Sequence, residues 1–107
     1  MKKLLLAVIV SLSTISTVAL AEIKVGIILG FTGPIETLTP AMRDSAKLAF
    51  AEVSASGALL GGETITPLIG DSTCVDSDAA VAAAELIVSE GAVAIMGADC
   101  SGVTGAI

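Results

Sequence analysis

The sequence contains no histidine, tryptophan or tyrosine, and its 107 residues include only two cysteines and two phenylalanines. Without histidine, neither a Ser-His-Asp nor a Cys-His nucleophilic arrangement can be built from these residues. Ser101 also lies outside a G-x-S-x-G nucleophile motif, because Asp99 and Val103 occupy the two glycine positions. The sequence therefore predicts no catalytic residue and a protein that is not an enzyme.

Basic residues are scarce as well: five stand against eleven acidic residues, for a formal net charge of -6. After residue 21 the only basic side chains are Lys24, Arg43 and Lys47. Nucleic acids and anionic membranes both require a basic surface on the proteins that bind them. This charge balance argues against either as a partner.

The first 21 residues have the pattern of a secretory signal peptide. Lys2 and Lys3 form a basic start, residues 4–10 form an apolar run, and residues 19–21 form a small-x-small cleavage site. The apolar run is too short for a membrane-spanning helix. We expect a mature protein that begins at Glu22, is periplasmic and is not inserted in the membrane.

Cys74 and Cys100 are the only cysteines, and export would place them in an oxidising compartment. A disulfide between them is the economical interpretation. Metal binding is the weaker alternative, because two thiols without histidine do not complete a tetrahedral site. We predict no metal site.

Residues 23–29, 64–69 and 92–96 are short apolar runs that predict strands. Pro67 inside the second run suggests an edge strand, an irregularity or a shorter strand. The first run lacks sustained alternation, as expected of a parallel strand that is buried on both faces.

Helices are predicted between these strands and after the last one. Thr39 has the position of an N-cap, with Pro40 as the first helical residue and Gly57 as a left-handed C-terminal cap. The other side of this helix carries Arg43, Lys47 and Ser54, and its predicted buried stripe consists of Met42, Ala46, Ala49, Phe50 and Val53.

The second helix spans about residues 77–90, capped by Asp76 or Ser77, and the third begins at Ser101. The order βαβαβα predicts an α/β fold, a parallel three-layer α/β sandwich with right-handed connections.

Ligands of open parallel sheets bind beyond the carboxyl ends of the strands. Those ends here are residues 30–39, 71–74 and 97–101, and a Cys74–Cys100 bond requires the last two to lie at the same edge. Ser101 at a helix start offers a hydroxyl beside free backbone N–H groups, which suits a carboxylate. The alternative is that Ser101 only caps its own helix.

Two other kinds of site do not fit the sequence. A dinucleotide-binding G-x-G-x-x-G motif that ends at Gly33 would need glycine at Ile28. Asp71, Asp76 and Asp78 lack the glycine and glutamate spacing of a calcium loop and are interpreted as caps and a solvated rim. We predict no cofactor.

The segments "IKVGIILGFTGP", "GALLGGETITPLIGDSTC" and "AAAELIVSEGAVAIMGADCSGVTGAI" occur in that order after the signal sequence. This ordered set resembles the amino-terminal part of periplasmic solute-binding proteins of branched-chain amino acid (Leu/Ile/Val-type) ABC importers. The resemblance covers the whole mature stretch.

The resemblance implies a type I periplasmic-binding fold, in which two lobes close on a ligand, and a Cys74–Cys100 disulfide. It maps the family's serine contact with the ligand's α-carboxylate onto Ser101. In the loop where relatives often carry an aromatic residue over the ligand, this chain has Leu38, next to Thr37. These three residues are the predicted ligand contacts.

Members of that family are several times longer, so we expect residues 22–107 to be a partial amino-terminal lobe. The implied function is a non-enzymatic carrier that captures an amino acid or related small carboxylate and delivers it to a membrane permease. A sensory ectodomain of the same fold is the alternative, and an exported α/β enzyme is a third hypothesis.

Overall fold

A computed structural model of the chain describes residues 22–107. The predicted signal peptide at residues 1–21 lies outside this range. Three strands alternate with three helices, which confirms the predicted order βαβαβα. The elements are β1 (Glu22–Leu29), α1 (Thr39–Ser56), β2 (Thr64–Asp71), α2 (Ser77–Ser89), β3 (Ala94–Met96) and α3 (Ser101–Thr104).

The strands form one parallel sheet in the order β2-β1-β3. Leu29 at the end of β1 is in register with Asp71 at the end of β2, and Ile27 is in register with Met96 of β3. Pro67 lies in β2, an outer strand of the described sheet, where its missing N–H is tolerated. The edge position suggested by the proline is confirmed.

The sheet separates α1 from α2. Since β2 and β3 lie on opposite sides of β1, right-handed crossovers place the two connecting helices on opposite faces. Ile27 and Ile28 of β1 are fully buried, and consecutive strand residues point to opposite faces. The central strand therefore supplies apolar side chains to both layers.

Helix α2 packs closely on one face of the sheet through Ile87 and Ala84, which form a buried cluster with Ile28. A Cβ atom added at Gly26 would lie 2.6 Å from Cγ2 of Ile87. The glycine therefore makes room for the isoleucine, so that the helix can approach the backbone of β1.

Helix α1 differs from its prediction at its start and in its buried side. Thr39 is the first helical residue, and the N-cap position belongs to Leu38, which makes no side-chain cap hydrogen bond. Met42 and Val53, predicted to be buried, are 44% and 42% exposed. Gly57 does adopt the predicted left-handed conformation, with φ 66°.

The half-buried residues of α1 are Arg43, Ala46, Phe50 and Ser54, so the stripe includes two polar residues that the prediction assigned to the outer side. Ser54, assigned to the outer side, accepts a 2.9 Å hydrogen bond from the Ile65 N–H at the start of β2. Arg43, also assigned there, lies with its guanidinium carbon 5.8 Å from the centre of the Phe31 ring. The spacing of apolar residues in the sequence could predict neither of these two contacts.

The ends of α2 and β3 follow from local hydrogen bonds. The Asp76 side chain accepts hydrogen bonds from Asp78 N–H and Ala79 N–H, so the predicted cap at Asp76 is confirmed. The Ala92 N–H donates to the carbonyl of Ile87 and so still closes the end of the helix. Strand β3 consequently begins at Ala94 rather than at residue 92.

We predict that Ile87→Ala lowers the free energy of unfolding by about 2–5 kcal/mol, because it removes a buried side chain that fills the space over Gly26. Leu86→Ala is the matched control, since Leu86 is the adjacent residue and is 59% exposed; its effect should stay within about 0.5 kcal/mol. Urea denaturation measures both, and equal losses would contradict this packing.

Candidate functional site

The carboxyl ends of the three parallel strands meet at one edge of the sheet. Residues 30–38 follow β1, residues 72–76 follow β2 and residues 97–100 follow β3. This is the edge at which α/β proteins bind ligands. We refer to these three segments, together with Asp71 at the end of β2 and Ser101 at the start of α3, as the loop edge.

A disulfide joins the two outer segments of the loop edge. Cys74 follows β2, Cys100 follows β3, and their Cα atoms are 5.2 Å apart. Because β1 lies between those strands, the bridge passes over the end of the central strand. A Cβ atom added at Gly30 would lie 3.1 Å from Cβ of Cys74, so the glycine keeps this space open. The structure contains the predicted disulfide.

Asp71 connects the end of β2 to the loop after β1. Its Oδ1 accepts hydrogen bonds from Phe31 N–H at 2.9 Å, Thr32 N–H at 3.3 Å and Thr73 N–H at 2.8 Å. Its Oδ2 accepts a 2.7 Å hydrogen bond from the Thr32 hydroxyl. The interpretation of Asp71 as a cap or part of a solvated rim is incomplete, since the carboxylate also holds two loops together.

Burial raises the pKa of the Asp71 carboxyl, but the hydrogen bonds from the Thr32 hydroxyl and from the backbone N–H groups of Thr73, Thr32 and Phe31 outweigh it. The net result is a pKa below the usual value for aspartate. The loop edge therefore holds an ionised carboxylate at neutral pH.

Asp99 makes the corresponding connection from the segment after β3. Its Oδ2 accepts a 2.9 Å hydrogen bond from Gly30 N–H, and its Oδ1 lies 3.5 Å from the hydroxyl of Ser72, which is fully buried. The loop after β1 is thus bound by a carboxylate on each side.

Thr39 anchors the other end of that loop. Its hydroxyl, predicted to cap α1, instead donates a 3.1 Å hydrogen bond to the carbonyl of Gly30, and the residue is fully buried. The segment between β1 and α1 is therefore closed by a contact between its first residue, Gly30, and the first residue of α1. This geometry explains why Thr39 lies inside the helix rather than at its cap.

Ser101 is the first residue of α3 and is exposed. The N-cap position belongs to Cys100, which makes no side-chain cap hydrogen bond. The alternative in which Ser101 is the N-cap of its own helix is therefore wrong. The disulfide at Cys100 fixes the backbone directly before the serine.

Leu38 and Thr37 lie in the last turn before α1, and both are exposed; Leu38 exposes 62% of its surface. They share the loop edge with Ser101. Within residues 22–107, no hydrogen bond connects either residue to Ser101. The three residues predicted to contact the ligand therefore lie on one edge of the sheet, but within residues 22–107 they do not form a closed pocket.

Asp71 and Asp99 are the residues that reasoning from the sequence missed. Asp71 is the last residue of β2 and precedes Cys74 by three positions, whereas Asp99 follows the end of β3 and directly precedes Cys100. In this sheet both carboxylates accept hydrogen bonds from N–H groups of the loop after β1. Their position at strand exits is the signal that identifies them.

We predict that the double variant Cys74→Ser/Cys100→Ser unfolds with a free energy about 3.5 kcal/mol lower than the oxidised protein, because the bridge closes a loop across a separation of 26 residues. Urea denaturation with and without a reductant measures this. The reductant should weaken the wild type and leave the double variant unchanged; equal stability of the oxidised wild type and the variant would contradict a stabilising bridge.

Asp71→Asn is expected to remove a pH-dependent part of the stability. Since folding lowers this pKa, the contribution of the carboxylate is complete above the unfolded pKa of about 4 and is lost as the pH falls through the folded pKa. The difference in unfolding free energy between wild type and variant should be constant from about pH 7 to pH 5 and shrink below about pH 4.

The control for that experiment is Asp44→Asn, which removes an exposed carboxylate paired with Arg43. Exposed ion pairs contribute little, so this change should barely alter stability at any pH. A pH-independent difference for Asp71→Asn would contradict the role assigned to its charge.

Among residues 22–107, no helix combines the length and the apolar character needed to cross a membrane. A comparison with curated proteins gives no significant match. The family of periplasmic binding proteins matches residues 22–107, which include all six elements and the loop edge. Members of this family generally bind solutes rather than catalyse reactions. The parallel sheet with its helices forms part of a type I periplasmic-binding fold, and the chain belongs to the periplasmic binding protein family.

Proposed function

We propose that this protein is the solute-binding component of an ABC importer. It captures a branched-chain or related amino acid, or another small carboxylate, in the periplasm and delivers it to a membrane permease. Membership of the periplasmic binding protein family supports a solute-binding role in that compartment. The predicted signal peptide supports export, and residues 22–107 would then form part of the amino-terminal lobe.

The observation that carries this proposal is the position of Ser101 on the loop edge. The serine follows a cysteine that is covalently fixed to the loop after β2, and it begins a helix whose first backbone N–H groups accompany its hydroxyl. Hydroxyl and N–H donors together suit a carboxylate. We assign the carboxylate of the solute to Ser101.

Leu38 and Thr37 would contact the rest of the solute. Leu38 offers an exposed apolar side chain at the start of α1, and Thr37 offers a hydroxyl beside it. An aliphatic side chain is well suited to a small apolar group of an amino acid. Closure against a second lobe would bring further contacts and exclude water from the bound solute.

The proposal predicts binding that depends on Ser101. In a thermal-shift screen of the full-length mature protein with amino acids and small carboxylic acids, a ligand at 100 times its Kd should add about 2.7 kcal/mol of stability. Ser101→Ala should weaken that ligand by about 1.5–3 kcal/mol, the contribution of a hydrogen bond to a charged group.

Ser89→Ala is the matched control, because its hydroxyl donates to the Leu86 carbonyl within α2 and lies at the end of the helix that is remote from the loop edge. Affinity should be unchanged in this variant. No stabilisation by any compound, or equal affinities of wild type and Ser101→Ala, would contradict the proposal. Loss of uptake of the labelled solute in cells without the gene distinguishes import from sensing.

A further inference from the structure

The loop after β1 directs three successive backbone N–H groups at carboxylates of the same chain. Gly30 N–H donates to Asp99, while Phe31 and Thr32 N–H donate to Asp71. Thr73 N–H reaches the same Asp71 oxygen from the loop after β2. Two loops thus converge on one carboxylate oxygen.

Successive N–H groups at the end of a parallel strand form a concavity that binds anions, and free phosphate groups commonly occupy it in α/β proteins. The "GFTGP" loop has the glycine content and the position of such a site. Its donors are nevertheless already satisfied, because the anion is supplied by the protein itself.

We propose that Asp71 is a specificity-determining residue. Its carboxylate occupies the anion-binding concavity of this loop and prevents free anions from binding there. On the proposed function, the solute carboxylate then binds on the β3 side, beside Ser101, while Leu38 and Thr37 on the β1 side are uncharged. The identity of the solute rests on the proposed function, but the closure of the loop does not.

The geometry indicates that the loop would accept an external anion once the carboxylate is removed. Asp71 is half-buried, and its hydrogen bonds with the hydroxyl and N–H of the exposed Thr32 lie at the surface, so a dissolved ion can reach this position. Asp99 would stay on Gly30 N–H as the remaining negative charge. Arg43, stacked over Phe31, is the positive charge that faces the same loop.

The test is a titration with inorganic phosphate at pH 7 and constant ionic strength, followed by the backbone amide NMR signals of Phe31, Thr32 and Thr73. In the wild type these signals should not show a saturable shift. In Asp71→Ala all three should shift together and saturate with a single Kd. Asp44→Ala is the control, because the Asp44 carboxylate accepts a hydrogen bond from the Arg43 side chain rather than from the loop. Like the wild type, it should show no saturable shift.

A saturable shift in the wild type, or none in a folded Asp71→Ala, would overturn the proposal. If that variant does not fold, the wild type alone decides: the amide signals of Phe31, Thr32 and Thr73 should follow the titration of the Asp71 carboxyl with one midpoint. Independent midpoints would also overturn it. No amino acid is used, so the result is separate from that of the solute screen.

Discussion

The parallel pairing of β1 with a strand on each side is the constraint on which the rest of the structure depends. Its side chains at Ile27 and Ile28 are fully buried, and its glycine at position 26 allows Ile87 of α2 to pack against the backbone. Because all three strands run in the same direction, their following segments meet at one edge. The core and the candidate site are consequences of the same pairing.

Two kinds of bond then fix the loop edge, and each joins segments that are distant in sequence. The Cys74–Cys100 disulfide connects the outer strands over the end of the central one. Beneath it, Asp71 and Asp99 bind the N–H groups of the loop after β1. The covalent bridge limits how far the outer segments can separate, and the carboxylates determine the shape of the loop between them.

This arrangement also resolves an electrostatic difficulty for an acidic protein that is proposed to bind a carboxylate. The carboxylates of Asp71 and Asp99 lie on the loop edge, where they would repel an anionic solute if they faced it. Both instead accept hydrogen bonds from backbone N–H groups, which compensate their charge locally.

Much of the fold follows from the sequence because strand and helix periodicity, glycine caps and the Asp76 cap are local signals. Pro67 indicated an outer strand, and the paired cysteines indicated neighbouring loops. Local signals of this kind could not predict contacts between segments that are distant in the sequence. Ser54 faces the sheet because its hydroxyl meets Ile65 N–H, although spacing placed it outside.

The same distinction separates the predictable part of the site from the rest. The loop edge follows from parallel strands, and the position of Ser101 at the start of a helix was predicted from its place after the strand and Cys100. The role of Asp71 was only partly predicted, because its donors in Phe31 and Thr32 are 40 and 39 residues away in the sequence. Thr39 was misinterpreted for a related reason, since its acceptor is a carbonyl at the opposite end of its loop.

Amide hydrogen exchange of the folded protein tests the central claim most directly, namely that the loop edge is held as firmly as the sheet below it. The N–H groups of Gly30, Phe31 and Ser72 should exchange as slowly as those inside β1, because each donates to an acceptor on another segment or strand. Exchange as fast as in the exposed turn at residues 58–61 would contradict a loop edge that is formed before any solute binds.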